Sequence, residues 1–440
     1  MYLVRKIDAD LLHWKDEKKH KPLLIRGARQ VGKTRSVREL SKYFSNFIEI
    51  NFEESPRMKV LFEDDLDPSR ICENIAAIFN QPITASETLL FFDEIQLCPK
   101  AIMSLRFFYE KMPNLHIIAA GSLLEFALSE LPTFGVGRIR SIFMYPLSYF
   151  EFLNAIEEKL LLKKIISSSP EYPLNPLLHK KALDLVRKFM ILGGLPEVIA
   201  NYSEDQNLQK SNLILNDVII SLQSDFAKYN KKVPTSRIHE VFMSAVLQSG
   251  KKFVYTKAGE NLKIHDVKEA IELLNKAALI IKVTHSSCNG IPLGAEVNHQ
   301  RQKLLIFDTG IFQKLVGLNL ADYLLSDDFK TINRGNMAEQ FVGLELLKSG
   351  SSYQNNALYY WSRESKSSNS EVDYVISHDE KIIPVEVKAG TKGSMQSLFI
   401  FLNEKKLEKG VRISSENFAK FDKIDVYPLY AVENLIKNDH

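Results

Sequence analysis

The chain has 440 residues, which is too long for a single hydrophobic core and predicts about two to four domains. It is 45% hydrophobic and 25% charged, and its net charge of only +3 excludes a strong overall field, so nucleic acid could be bound only by local basic patches. The three cysteines are far apart and odd in number, which argues against a disulfide framework or a cysteine-based metal site. A signal-peptide pattern and an apolar run of about 20 residues are both missing, so we expect a cytoplasmic protein without membrane contact.

A nucleotide-binding loop is predicted near the start of the chain. An apolar run at residues 23–25 favours a buried strand, GARQVGKT at residues 27–34 matches G-x-x-x-x-G-K-[ST], and a helix-like stretch follows. Glycine lets such a loop curl so that backbone N–H groups face phosphate oxygens beside the positive end of the helix. Lys33 then reaches the β- and γ-phosphates as a catalytic residue, and the Thr34 hydroxyl serves as a magnesium ligand. The predicted nucleotide-binding residues are Gly27, Ala28, Arg29, Gln30, Val31, Gly32, Lys33, Thr34 and Arg35.

A second motif of the same kind of site follows at residues 89–94, LLFFDE. Four apolar residues before two acids are typical of a central parallel strand covered on both faces. We expect Asp93 to complete the nucleotide site and hold Mg²⁺, and Glu94 to polarise the attacking water as a catalytic residue. A third run, LHIIAAGS, ends in Ser122, a catalytic candidate between water and γ-phosphate. The alternative, three core strands with incidental polar ends, is disfavoured because both motifs occur in the expected order.

Two later stretches bear on this site. GVGRIRSIF carries Arg138 and Arg140, and Arg138 is a candidate for stabilising the transferring charge, in its own chain or across a subunit interface of a homo-oligomer. A solvated arginine beside a strand is the equally open alternative. ILGGLPEVI at residues 191–199 fits a helical lid that touches the base, or simply a helix that begins near a proline.

These motifs together resemble a known group of proteins. RGARQVGKT, LLFFDEIQ, AAGS, the Gly-Arg pair at residues 137–138, PLSYFEF and GGLPEVI are similar, in the same order, to the bacterial and archaeal AAA-type ATPases. More narrowly, the chain resembles the branch whose C-terminal half is a domain of unknown function. The resemblance spans essentially the whole chain. It implies ATP binding and slow, regulated hydrolysis, with ATP and Mg²⁺ as cofactors, and it implies no particular cellular role.

The middle of the chain is predicted to be helical and then to contain a winged-helix-like domain. Apolar residues recur at helical spacing up to about Tyr229. From residue 234 the pattern becomes short helices followed by a hairpin, which resembles a winged helix-turn-helix. The lysines of this region could contact a DNA backbone. They could instead lie on a face that is solvated or that contacts protein, and both alternatives remain open. These lysines are Lys257, Lys263, Lys268 and Lys276.

The last hundred residues have the element order of a PD-(D/E)xK nuclease. An amphipathic helix carries Glu339, one strand candidate carries Asp373, and the next ends in Glu386-Val-Lys388. Residues two apart on a strand project from the same face, so Glu386 and Lys388 can act together. The predicted magnesium ligands are Glu339, Asp373 and Glu386, with Lys388 as a catalytic residue that orients water or offsets charge.

A simpler interpretation of these strands is a cross-strand charge cluster. The flanking valines, which leave one face apolar and gather the charges on the other, favour the nuclease-like fold, as does the position of the Glu339 helix before the strands. Cleavage activity is a separate question, because a fold is often kept for binding alone. Val372 stands where the family pattern has proline, which weakens the prediction of cleavage slightly.

The sequence therefore predicts an α/β multidomain protein: a P-loop ATPase core with a parallel sheet, a helical lid, a winged-helix domain and a C-terminal α/β restriction-endonuclease-like domain. The predicted function is ATP hydrolysis by an AAA-type ATPase that acts on or with DNA. The alternative is an ATP-gated assembly switch, which binds an unidentified protein partner through a C-terminal docking module without nuclease activity. The predicted domains span residues 1–155, 156–233, 234–330 and 331–440.

Overall fold

The polypeptide folds into two compact units in the computed structural model. Unit 1 takes in the described residues of Met1–Pro146, Lys276–Ala278 and Ser351–Asn355, and unit 2 those of Leu147–Asn275, Leu279–Gly350 and Asn356–His440. The structure describes residues 2–131, 137–229, 233–259, 262–317, 334–363, 370–390 and 394–436.

Unit 1 is built on a five-stranded sheet in which every neighbouring pair is parallel. The strand order is β2-β3-β4-β1-β5. The strands are β1 (Leu23–Arg26), β2 (Asn46–Asn51), β3 (Thr88–Asp93), β4 (His116–Ala120) and β5 (Arg140–Phe143). The helices are α1 (Lys6–Asp16), α2 (Lys33–Leu40), α3 (Pro68–Phe79), α4 (Pro99–Lys111) and α5 (Leu124–Glu130).

The central strands of unit 1 are buried along their whole length. Every residue of β3 and of β4 is buried, which explains why their sequences are almost continuously apolar. Phe92 of β3 packs against Phe52, Phe62 and Phe108, with ring centroids 5.7–6.4 Å apart in the edge-on and tilted arrangements that aromatic pairs favour. Because parallel strands end at the same edge, the residues after β1, β3 and β4 lie side by side.

Unit 2 begins with a helical region, as the apolar periodicity predicts. Its members up to Tyr229 are α6 (Tyr149–Ala155), α7 (Lys159–Ile166), α8 (Pro176–Leu192), α9 (Pro196–Asp205), α10 (Leu208–Ser224) and α11 (Phe226–Tyr229). The helices that follow are α12 (Thr235–Leu247), α13 (Ile264–Lys276), α14 (Thr309–Val316), α15 (Arg334–Ser349) and α16 (Gln396–Lys405).

Unit 2 also contains an eight-stranded mixed sheet, with the order β12-β13-β11-β10-β9-β8-β6-β7. Strands β9 and β10 form a hairpin whose two-residue turn, Asp379 and Glu380, has positive φ at both positions. The strands are β6 (Ile280–Ser286), β7 (Val297–Ile306), β8 (Leu358–Ser362), β9 (Glu371–His378), β10 (Lys381–Val387), β11 (Gly410–Ser414), β12 (Ala419–Phe421) and β13 (Ile424–Pro428).

The hairpin assigned from sequence to a winged helix is part of this large sheet. Strand β6 pairs with β7 on one side and in parallel with β8 on the other. The predicted domain boundary at residues 233/234 falls within unit 2, and the one at residues 330/331 lies outside the described residues. The winged-helix and nuclease-like domains therefore stay predictions, and the structure shows their strands sharing one sheet.

A buried aspartate, Asp308, joins the GGLPEV stretch to the segment FDTG at residues 307–310. Asp308 is 1% exposed, and its carboxylate accepts hydrogen bonds from the Gly194 N–H at 2.7 Å and the Ile311 N–H at 3.1 Å. Gly193 has φ of +74°, and a Cβ atom there would lie 2.1 Å from Asp308 Oδ1. The glycines therefore allow a close approach between the end of α8 and the start of α14. The predicted lid role of this stretch stays a prediction.

No helix among the described residues is both long and apolar enough to cross a membrane.

Substituting Asp308 with asparagine tests this junction. Asparagine keeps the shape of the side chain but has only one acceptor oxygen, whereas the Gly194 and Ile311 N–H groups each donate to a separate oxygen of Asp308. One N–H group would lose its acceptor, so we expect the unfolding free energy of unit 2 to fall by about 1–3 kcal/mol. Denaturant unfolding followed by far-ultraviolet circular dichroism measures the loss. The matched control is Asp422→Asn, on an exposed turn, which should leave the midpoint unchanged. An equal loss in both variants would contradict the importance of the junction.

Candidate functional site

The predicted nucleotide-binding loop lies between the end of β1 and the start of α2. Gly27 has φ of +147°, and a Cβ atom there would lie 2.1 Å from the Met144 carbonyl oxygen, so only glycine fits. Gly32, with φ of +98°, is the residue directly before α2, which begins at Lys33. The loop thus ends at a helix N-terminus, where free N–H groups and the helix dipole favour an anion.

The Lys33 side chain lies over the loop itself. Its ammonium donates hydrogen bonds to the carbonyl oxygens of Gly27, at 3.0 Å, and Ala28, at 2.7 Å. Burial lowers the pKa of Lys33 to about 8, although the nearby Glu94 and Asp93 carboxylates act in the opposite direction. A buried ammonium held by two carbonyl oxygens can exchange them for phosphate oxygens, which are stronger acceptors for a charged donor.

Two predicted magnesium ligands are in direct contact. The Thr34 hydroxyl donates to Asp93 Oδ2 at 2.8 Å, and Asp93 Oδ1 accepts from the Glu94 N–H at 3.0 Å. Burial raises the pKa of Asp93, which is 4% exposed. A hydroxyl and a carboxylate are the hard oxygen ligands that suit Mg²⁺, so this pair fits the ion.

Glu94 and Ser122 also meet, as the motifs predict. Ser122 Oγ donates to Glu94 Oε2 at 3.3 Å, which joins the ends of β3 and β4. The same carboxylate oxygen accepts from Gln96 Nε2, and a Cβ atom at Gly121 would lie 2.1 Å from Gln96 Oε1. Gln96 is thus a further residue that fixes Glu94. The sequence signal was present in the letters DEIQ, but the reasoning from motifs stopped at the two acids.

The other residues of the predicted set are more scattered. Arg29 lies 4.0 Å from Glu53, and Gln30 has a positive φ. Arg138 is half-exposed, and its Nε donates to Glu110 of α4 at 2.5 Å. Its role at a nucleotide, like the role of Arg35, stays a prediction.

Arg5 is a residue of this site that the motif reasoning missed. It is 7% exposed, and its guanidinium donates to the Val31 carbonyl in the loop at 2.8 Å and to the Tyr145 carbonyl at 2.7 Å. Tyr2 forms a 3.1 Å hydrogen bond with Ser36 of α2. The segment before α1 therefore braces both the loop and the helix after it. Only the tertiary structure brings Arg5 and Val31 together, because nothing in the local sequence links them.

The predicted C-terminal site residues also come close to one another. Asp373 Oδ2 accepts a hydrogen bond from the Val387 N–H at 2.8 Å, and Glu386 Oε1 accepts from Lys388 Nζ at 2.7 Å. Burial, with the Asp373 charge, raises the pKa of Glu386 to about 7 and that of Glu339 to about 8. Burial opposes the charge of Lys388, but its hydrogen bond to Glu386 and the charges of the nearby carboxylates together outweigh this and raise the Lys388 pKa.

A lysine that the sequence reasoning passed over lies among these carboxylates. Lys303 Nζ is 2.6 Å from Glu371, 3.5 Å from Glu339 and 3.6 Å from Asp373, and its side chain is 1% exposed. Burial alone lowers a lysine pKa, but the three carboxylates hold the pKa of Lys303 well above its usual range. In the sequence Lys303 begins an apolar strand, KLLIF, which carries no motif.

This arrangement does not fit a magnesium ion, because the ammonium already lies between the carboxylates. Within the part of the chain that the structure describes, no group of three or more His, Cys, Asp or Glu side chains is placed to hold a metal. A magnesium role for Glu339, Asp373 and Glu386 therefore stays a prediction that the geometry does not support.

Comparison with known proteins agrees with the geometry of unit 1. Residues 19–153 match the model of an AAA domain, residues 183–322 a domain of unknown function (DUF8612), and residues 334–432 another domain of unknown function (DUF4143). An uncharacterized protein of Haemophilus influenzae is 22% identical over 429 residues, covering 94% of each chain. A solved Walker-type ATPase of Pyrococcus abyssi is similar with a TM-score of 0.47 and 13% identity, over 72% of this chain and 96% of that one. The N-terminal part of the chain is therefore similar to AAA domains and has the parallel sheet and glycine loop expected of a P-loop ATPase.

Proposed function

We propose that this protein binds ATP with Mg²⁺ and hydrolyses it at the carboxyl edge of the unit 1 sheet. The observation that carries the proposal is the 2.8 Å contact between the Thr34 hydroxyl and the Asp93 carboxylate, two residues that meet only because β1 and β3 end at the same edge. Lys33 begins α2, after the loop that follows β1, and Glu94 directly follows β3.

In this mechanism the loop N–H groups and the Lys33 ammonium bind the phosphates. Thr34 and Asp93 would hold Mg²⁺, which would offset the negative charge that develops on the phosphate oxygens. Glu94 orients and polarises the attacking water, and Ser122 and Gln96 keep its carboxylate in place through their bonds to Oε2. Arg138 is proposed to meet the transferring phosphoryl group from a neighbouring subunit.

Separating binding from hydrolysis tests these roles. Lys33→Ala should abolish ATP binding and hydrolysis together. Glu94→Gln keeps the shape of the side chain but removes the base, so it should lower kcat by about 10²- to 10⁴-fold with little change in ATP affinity. Phosphate release measures turnover, and a fluorescent ATP analogue measures affinity.

The control for this pair is Lys111→Ala, which removes a surface ion pair with Asp67 and should match the unmodified chain. Unchanged turnover in Lys33→Ala would contradict an ATPase site at this loop. Unchanged turnover in Glu94→Gln would contradict only the role of Glu94 as the base.

The brace formed by Arg5 gives a prediction about affinity. Arg5→Ala frees the Val31 carbonyl and loosens the loop, so the ATP dissociation constant should rise about tenfold, which corresponds to roughly 1.4 kcal/mol. Isothermal titration calorimetry with a non-hydrolysable ATP analogue measures the change. Arg57→Ala, which alters an exposed arginine of the same unit, is the control. An unchanged dissociation constant in Arg5→Ala would mean that the loop holds its shape without the brace.

For unit 2 we propose the assembly switch in preference to action on DNA. Helix α13, in the region predicted to be winged-helix-like, carries two lysines against three acidic residues, so it has no excess of positive charge. Its acids are also engaged: Asp266 lies 3.1 Å from Arg237, and Glu272 pairs with Lys282. DNA-binding helices depend on positive charge to displace counterions from phosphates. ATP-bound and ADP-bound states would then differ in assembly with a protein partner or with further copies of the chain.

Nucleotide-dependent assembly distinguishes the two functions. In Glu94→Gln, trapped ATP should give a larger sedimentation coefficient than ADP, because the ATP-bound interface persists. Sedimentation velocity measures this, and Lys33→Ala, which cannot bind nucleotide, should show no difference. DNA binding at low salt that is lost in Lys268→Ala but kept in Lys159→Ala, without any effect of ATP on sedimentation, would instead support action on DNA.

A further inference from the structure

The carboxylate cluster of unit 2 comprises Glu339 of α15, Glu371 and Asp373 of β9, with Lys303 of β7 among them. We propose that Lys303 is the permanent cation of this cluster, so that the cluster binds no divalent metal and does not support metal-dependent cleavage of nucleic acid. This goes beyond the proposed ATPase and switch function, and it does not depend on either.

The first argument is the match between donors and acceptors. A lysine ammonium has three N–H donors; Glu371 and Glu339 lie within hydrogen-bond distance of Lys303 Nζ, and Asp373 forms an ion pair with it at 3.6 Å. The nearest is Glu371 Oε1 at 2.6 Å. The Tyr360 ring lies beside the ammonium, 5.3 Å from Nζ to the ring centroid, and adds a favourable cation–π contact.

The second argument is that the lysine is anchored and enclosed. The Lys303 backbone pairs with Val283 of β6. It also forms an isolated antiparallel bridge with Lys252, which lies outside the named strands. The Lys303 side chain is 1% exposed. Moving the ammonium into water would leave three carboxylates without a cation, two of which, Glu339 and Asp373, are largely buried, so this movement would be strongly unfavourable.

The third argument is that the other predicted metal-site groups are also engaged. Asp373 uses its second oxygen to accept the Val387 N–H at 2.8 Å, and Glu386 is paired with Lys388 at 2.7 Å. A magnesium or calcium ion needs oxygen ligands at about 2.0–2.6 Å and would have to displace these bonds as well as Lys303. Two fixed ammonium groups next to the cluster also repel a divalent cation.

The cluster explains why two regions of the chain fold as one. Lys303 belongs to the range 183–322 that matches one domain of unknown function, and its three partners belong to the range 334–432 that matches the other. Neither region could bury its part of the charge alone, because an unpaired buried charge is costly. The ion cluster thus joins β7, β9 and α15.

The deciding experiment measures Mn²⁺ binding in the full chain. Asp93→Asn removes a proposed magnesium ligand of the ATP site, and Mn²⁺ bound without nucleotide is then followed by electron paramagnetic resonance. We expect no bound Mn²⁺ in this background. If Mn²⁺ binds to the Asp93→Asn variant and this binding disappears when Asp373→Asn is added, the proposal is overturned.

Removing Lys303 should open a divalent-metal site among the three carboxylates, which the lysine otherwise blocks. Lys303→Ala in the Asp93→Asn background should unfold at a temperature about 10 °C lower, because three carboxylates lose their cation. Mn²⁺ at 100 times its dissociation constant should then raise that midpoint by about 5–10 °C. The matched control is Lys282→Ala, in which a partly exposed ion pair between β6 and Glu272 of α13 is removed and Mn²⁺ should have no effect. An equal effect of Mn²⁺ with and without Lys303 would contradict the proposal.

A nuclease assay gives an independent readout. Plasmid, linear and single-stranded DNA are incubated with the unmodified chain and Mg²⁺ or Mn²⁺, and the proposal expects no cleavage that depends on the cluster. Cleavage that is present in the unmodified chain and absent in both Asp373→Asn and Lys388→Ala would overturn it, whereas cleavage that persists in both variants comes from a contaminant and agrees with it.

Discussion

A charge that leaves water has to be compensated by the protein, and this constraint shapes the chemistry of both units. In unit 1 the buried Lys33 ammonium lies on two loop carbonyls, and the buried Asp93 carboxylate accepts from a threonine hydroxyl. In unit 2 the buried Lys303 ammonium is surrounded by three carboxylates. The same physical requirement is thus met by neutral dipoles in one place and by full charges in the other.

The difference between these two solutions decides what each place can do. Carbonyl and hydroxyl dipoles are weaker partners than phosphate oxygens or a divalent ion, so the unit 1 groups can exchange them when substrate arrives. Full opposite charges in a buried cluster have no better partner to exchange for, and the strand that carries Lys303 is fixed by its neighbours. The first arrangement suits a site that binds and releases, and the second suits a structural joint. Asp308, which is held by two backbone N–H groups and approached closely by Gly193, is also a structural joint, although neutral dipoles compensate its charge.

The ATPase motifs were predictable because their chemistry is local. The Gly27–Thr34 loop needs glycine at positions of positive φ, and the apolar run before Asp93 needs a strand covered on both faces. The match of residues 19–153 to an AAA domain confirms this part of the prediction. The roles of individual side chains, from Glu94 to Arg138, stay predictions. Gln96 is the last residue of the quoted motif LLFFDEIQ, and its contact with Glu94 was missed because a motif does not show where a side chain points.

The sequence by itself determined the P-loop of unit 1 and its strands, the helices up to Tyr229, and the hairpin that brings Asp373 near Glu386. Each of these depends on periodicity, turn residues or spacing within a short stretch. Only the tertiary structure decided that Arg5 supports the loop, that β6 and β8 share one sheet, and that Lys303 lies among carboxylates 36 or more residues away. The physical reason is that burial and charge compensation depend on which distant segments pack together, and a local pattern does not contain that information.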